Sequence, residues 1–259
     1  MIHVTCTAHG LHRVAEQVRS QYESVDQLIS NIKKIFRKAP SRILLFKTEA
    51  PDLPLPPEPV ITRWGTWINA AIYYCEHFEI IFNIVNKLDS EDALSIKNAK
   101  KYLATPHVKN DLVYIKSNFS SLTTSITKLQ TEGVSLADSI EIIDNVSVAM
   151  KCLTGTTGKN ICTKMENVLK KNVGLAMLKK IKNILNGELI DMKDLPEDLD
   201  INDLTYFKYA PITSVNVERS FSAYKTLLTN NRRSFKVENI KKHLIIQCNA
   251  SKYIIRIIK

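Results

Sequence analysis

Apolar residues in this 259-residue chain return every three or four positions, and that spacing restricts the fold more than any other feature. An α-helix turns once per 3.6 residues, so residues so spaced line one face. Leu11, Val14, Ala15 and Val18 fit the pattern, and Val25, Leu28, Ile29, Ile32, Ile35 and Phe36 repeat it. Ser24 with Gln27 has the spacing of a capping box opening the second of these helices. Only 7 glycines are present, too few for a many-turned β architecture, so the expectation is a mainly α protein. With 44% hydrophobic residues it can bury a real core, as one large domain or two smaller ones.

Two segments break the helical period. Ile2, Val4 and Cys6 alternate, which predicts at most one short N-terminal strand. Residues 50–59 hold most of the prolines; fixed φ and missing N–H groups make them a semi-rigid extended strap, its leucines free to dock on the protein itself or to meet a proline-binding module. Beyond Thr62, the run Trp64, Trp67, Ala71, Tyr74, Phe78, Ile81, Phe82 and Val85 predicts one buried helix. A helix over 90–104 follows, with Ser90 as N-cap. Further helices are expected over 108–129, 135–153, 160–171 and 175–185, separated by Gly133, the Gly155–Gly158 stretch and Gly174. Residues 187–204 are acidic and contain Pro196, the composition of a surface loop. After Tyr206–Pro211 come two last helices, the second with an apolar stripe of Val237, Ile240, Leu244, Ile245 and Cys248. So narrow a stripe suits helix-on-helix packing, within a subunit or across a dimer.

Composition removes several function classes. The opening residues do not read as a secretory signal, and no run approaches the roughly 18 apolar residues of a membrane span. That excludes a membrane helix and points to a soluble intracellular protein. Five scattered cysteines without a CxxC pair offer neither a disulfide framework nor a zinc ribbon. Gly155–Lys159 lacks the spacing of a phosphate-binding P-loop, and no pattern calls for a small-molecule substrate. The net charge of +10 is unevenly placed: from Arg219 onward ten basic residues face one acid, Glu238. Such a tail suits phosphate contact through Arg232, Arg233, Lys236, Lys241 and Lys242, or simply keeps that region solvated.

Three motifs in order then carry a resemblance. Cys6-Thr-Ala-His9 resembles the CxxH signature of hAT-superfamily DNA transposases. Thr62-Arg63-Trp64 resembles their TRW motif, and Ser214-x-x-x-Glu218-Arg219-x-Phe221-Ser222 with a closing Asn249 resembles their C-terminal dimerisation signature. The resemblance implies the end of a ribonuclease H-like core interrupted by a helical insertion. On that reading residues 1–10 are a remnant core strand, 11–204 an insertion-like helical domain, 205–250 the dimerisation region and 251–259 a basic tail.

The family's chemistry uses three carboxylates and two divalent metals, and by resemblance Glu218 matches the last carboxylate. The other two belong on strands preceding the CxxH motif, which here begins five residues after Met1. One carboxylate does not hold two Mg²⁺ ions, so Glu218 is expected to be vestigial and the chain to be neither an enzyme nor a metal binder. Cys6, His9 and His12 offer too few ligands for zinc and are expected to pack structurally. The resemblance implies base stacking for Trp64, but in an apolar helix and without the active site a core position is the expectation. The expected protein is therefore a nuclear, transposase-derived homodimer, with Phe221, Val237, Ile240, Leu244 and Ile245 at its dimer contact and weak, non-specific affinity for DNA. Two other readings stand beside it: an incomplete gene model of an active transposase, which would need Mg²⁺, and a helical protein-interaction adaptor.

Overall fold

The periodic stripes fold as helices. The computed structural model describes residues 2–60, 65–188, 193, 195–197, 199–227 and 236–246, and every regular element in them is helical. By packing, the chain divides into two units, residues 1–212 and 213–259. The first contains α1 (Thr7–Gln21), α2 (Glu23–Phe36), α3 (Pro40–Glu49), α4 (Thr66–Glu76), α5 (Phe78–Asn86), α6 (Leu94–Leu103), α7 (Pro106–Leu129), α8 (Leu136–Lys151), α9 (Gly155–Lys170) and α10 (Val173–Leu185), then a 3-10 helix (Ile201–Tyr209). The second contains α11 (Val215–Leu227) and α12, helical over residues 237–246.

The first unit is built around α7, which packs against α4, α8 and α1, while α2 packs on α6 and α9 on α1 and α8. Val108, Leu112, Ile115, Phe119 and Leu122 place a row of fully buried side chains along α7. Opposite them Trp67, Ile68, Ala71 and Tyr74 of α4 complete the layer. Each such side chain contributes about 1.5–3 kcal/mol through burial, and the row is continuous with one core that α1, α2, α6 and α8 also supply.

Several local expectations are corrected. Residues 2–6 have no regular structure and form no strand, because no strand is available to pair with among the described residues. The Asn172 amide takes that role: it accepts from the Thr5 N–H at 3.1 Å and donates to the Thr5 carbonyl at 2.8 Å. Ser24 does not cap α2; Tyr22 stands at its N-cap and Ser24 lies inside the helix. Ser90 likewise precedes α6 by a loop, and Ala93 is the N-cap.

The single helix expected after Thr62 is two. The His77 N–H donates to Tyr73 to close α4, and the His77 carbonyl accepts from Ile81 to open α5. The break frees α5 to pack on α3 and α6 while α4 faces α7. Gly155–Gly158, expected to separate helices, opens α9 instead; Gly158 is buried there, since a Cβ would sit 2.8 Å from that of Leu153. Residues 201–204, expected in a loop, begin the 3-10 helix, where Asp200 and Asp203 form a capping box and Leu204 is buried.

The proline-rich strap, expected to be extended throughout, opens with a turn in which the Leu53 N–H donates to the Ala50 carbonyl at 3.2 Å, has no regular structure from Pro54 onward, and docks on its own unit. Leu53 packs against the core, the Tyr73 hydroxyl donates to the Pro54 carbonyl at 2.5 Å, and Lys33 pairs with Glu58 at 3.3 Å. No helix among the described residues is long and apolar enough to cross a membrane.

Candidate functional site

Cys6 is the N-cap residue of α1 and His9 follows within its first turn, so the two side chains share a face one turn apart. That face forms one wall of an open cleft of about 400 Å³. The opposite wall comes from the C-terminal half of α9, with Lys164, Asn167 and Val168, and from Lys171 just beyond it. Two glycines set the fit. A Cβ on Gly10 would lie 2.8 Å from Val168, and one on Gly174 would overlap the His3 carbonyl, so only glycine allows these approaches. His12 lies on α1 beside the cleft-lining residues, its Nδ1 buried without a hydrogen-bond partner among the described residues and its pKa lowered, first of all by burial. No group of three or more His, Cys, Asp or Glu side chains able to hold a metal occurs among the described residues.

A second cleft, of about 140 Å³, lies beside the strap and is lined by Glu16, Arg19, Asp26, Lys33, Thr66 and Trp67 among others. Asp26 organises it. Its Oδ1 accepts from Arg19 Nε and Trp67 Nε1, both at 2.8 Å, and its Oδ2 accepts from the Arg19 guanidinium at 3.3 Å. Trp67 is buried, so its indole N–H depends on this carboxylate for a partner.

The C-terminal unit holds most of the rest of the sequence-derived site. Ser214 precedes α11 and its hydroxyl donates to Glu218 Oε1 at 2.6 Å, one turn into the helix. A carboxylate in the first turn complements the helix dipole, so Glu218 has a local structural role. Arg219 and Phe221 on the same helix are exposed, and Ser222 lies one turn beyond Glu218. On α12, Lys236 at the helix entrance, Lys241 and Lys242 are exposed. Its apolar stripe is only partly covered: Ile240 and Leu244 are half-buried, whereas Val237 is 81% and Ile245 53% exposed. Arg63, Trp64, Arg232, Arg233, Cys248 and Asn249 lie outside the described residues.

Sequence reasoning singled out Cys6 and His9 but missed Arg13, Lys164 and Lys171, which the fold brings to the same cleft. No local pattern announces them, because α1 and α9 pair across roughly 150 residues of chain. The residues before Arg219 are also almost neutral in sum, which hides a local excess of cations.

These features define a helical protein with a cation-lined cleft in its first unit and a basic, partly apolar surface in its second. The chain matches no protein-family model and no curated protein.

Proposed function

We propose that this chain is a hAT transposase-derived helical protein, non-enzymatic in itself, that self-associates through its C-terminal unit and binds DNA weakly and without sequence preference. The observation that carries the reading is the pairing of exposed apolar side chains with cations in that unit. Phe221 is 58% exposed, and Val237 and Ile245 are more than half exposed on a helix that also presents Lys241 and Lys242. Large apolar side chains kept in water mark an association surface, and identical chains most often close such surfaces as a two-fold dimer. The dimerisation signature around Glu218, Arg219 and Phe221 supports the same assignment by resemblance.

The cations supply the DNA side. Each phosphate neutralised by a lysine or arginine releases counterions, so affinity falls steeply with salt. Lys236, Lys241 and Lys242 offer such contacts without reading bases. Nuclear residence follows from the resemblance and from this partner. Glu218 is the chain's one match to the family's carboxylates, and its bond to Ser214 gives it work as a helix-start residue, so strand transfer is not part of the reading.

Fluorescence anisotropy of a labelled duplex, measured from about 50 to about 200 mM salt, tests the DNA claim. Affinity should fall across that range, and Lys241→Gln/Lys242→Gln should lower the logarithmic slope by about 1–2. Absence of binding at the low-salt end, or binding indifferent to salt, would remove DNA from the proposal.

A further inference from the structure

The cleft between α1 and α9 has a charge that its structural role does not require. Arg13, Lys164 and Lys171 line it with His3 and His9, and no carboxylate is among the described residues that line it. None of the three cations makes an ion pair among the described residues, in contrast to Lys33, Lys87, Lys109, Lys116, Lys179 and Lys182 elsewhere in the unit, each matched to an acid. A lysine near a helix C-terminus commonly complements the helix dipole, which accounts for Lys171. Lys164 stands nearly two turns before the end of α9, and Arg13 is in the middle of α1, so the dipole explains neither.

The cleft is also built rather than incidental. Its floor depends on Gly10 against Val168, and its rim is fixed by the buried Asn172 side chain, which holds both backbone polar groups of Thr5. Like charges held on fixed walls repel, and an anion between them relieves that repulsion. The guanidinium and the ammonium groups donate to tetrahedral oxyanions, with Asn167 adding a neutral amide.

We infer that this cleft is a phosphate-binding site, distinct from the basic surface of the C-terminal unit, with Arg13 and Lys164 as its principal ligands. The phosphate reaches it either within a nucleic-acid backbone or on a free phosphorylated molecule; the required chemistry is the same. This site does not depend on the self-association or on the DNA affinity proposed for the C-terminal unit.

Calorimetric titration of the full chain with pyrophosphate tests it. Wild type should show saturable binding, and Arg13→Gln/Lys164→Gln should weaken it at least about tenfold, the scale of one lost charge-assisted contact. Lys241→Gln/Lys242→Gln should bind within about twofold of wild type, since those residues are on the other unit. Arg13→Gln alone, at an exposed position, repeats the test without touching the half-buried Lys164. Displacement of pyrophosphate by duplex DNA would identify the backbone as the source, and lack of displacement a free ligand; either result keeps the cleft assigned. No saturable binding to wild type, undiminished binding to both Arg13 variants, or loss only in the Lys241/Lys242 variant would overturn the inference.

Discussion

Two stretches of the chain carry the same kind of apolar stripe and meet opposite fates. On α2, Val25, Leu28, Ile32 and Ile35 disappear completely from solvent against α6 and its neighbours. On α12, Val237, Ile240, Leu244 and Ile245 have the same spacing, yet two of the four stay more than half exposed. A period of three and four determines that a helix forms and which face is apolar. It does not determine what covers that face. In the first unit the cover comes from within the chain; in the second Val237 and Ile245 stay exposed, and the proposed function assigns their cover to a second copy of the chain.

The contrast is broken or sharpened most strongly by matched truncations. Phe119→Ala removes a fully buried ring from α7 and should cost about 3–5 kcal/mol in urea denaturation, whereas Phe221→Ala should change the stability of the first unit by less than about 0.5 kcal/mol. Equal costs would erase the distinction between a packed and an open stripe.

A smaller effect probes the polar side of the first unit. Asp26→Ala leaves the Trp67 indole N–H without its acceptor and Arg19 with only Glu16, 3.7 Å away, and should destabilise by about 1–3 kcal/mol, towards the lower end because Arg19 and Asp26 are partly solvated. The tryptophan fluorescence of the folded protein should shift with it. An unchanged denaturation midpoint would show that water replaces the carboxylate freely.

Tyr74→Phe runs the other way. The Tyr74 hydroxyl is buried without a hydrogen-bond partner among the described residues, and burial raises its pKa, so it stays neutral. Removing it should leave stability unchanged or raise it by up to about 1 kcal/mol; a clear loss would reveal a partner for that oxygen.

The weakest effect is a pH dependence. Burial holds the His12 pKa below its ordinary value, so across the interval between the two pKa values the unfolded chain binds more protons than the folded one. Stability therefore falls as pH drops through about 6.5, and levels off once the folded-state group also titrates. His12→Gln should flatten the profile over that interval. A steeper profile in the variant would reverse the sign assigned to His12.

The helical class was legible because the period is written in adjacent residues, and so was the strap, because proline limits the backbone directly. Helix boundaries were less so. Ser24 and Ser90 have capping chemistry, but the N-caps are Tyr22 and Ala93, and the Gly155–Gly158 stretch enters α9, where Gly158 fits beneath Leu153. The break at His77 was invisible for a similar reason: it serves two different packing partners, one for α4 and one for α5. Of the clefts, Cys6 and His9 were visible as a motif, while Arg13 and Lys164 become neighbours only when α1 meets α9. Asp26 and Trp67, 41 residues apart, pair by the same long-range route.

The most direct test of the central claim is light scattering coupled to size-exclusion chromatography on the full chain, beside Leu244→Asp/Ile245→Asp. The expected result is a discrete wild-type dimer and a variant that is monomeric with unchanged helical content. A monomeric wild type, or a dimer that survives both substitutions, would contradict self-association through the open face of the C-terminal unit.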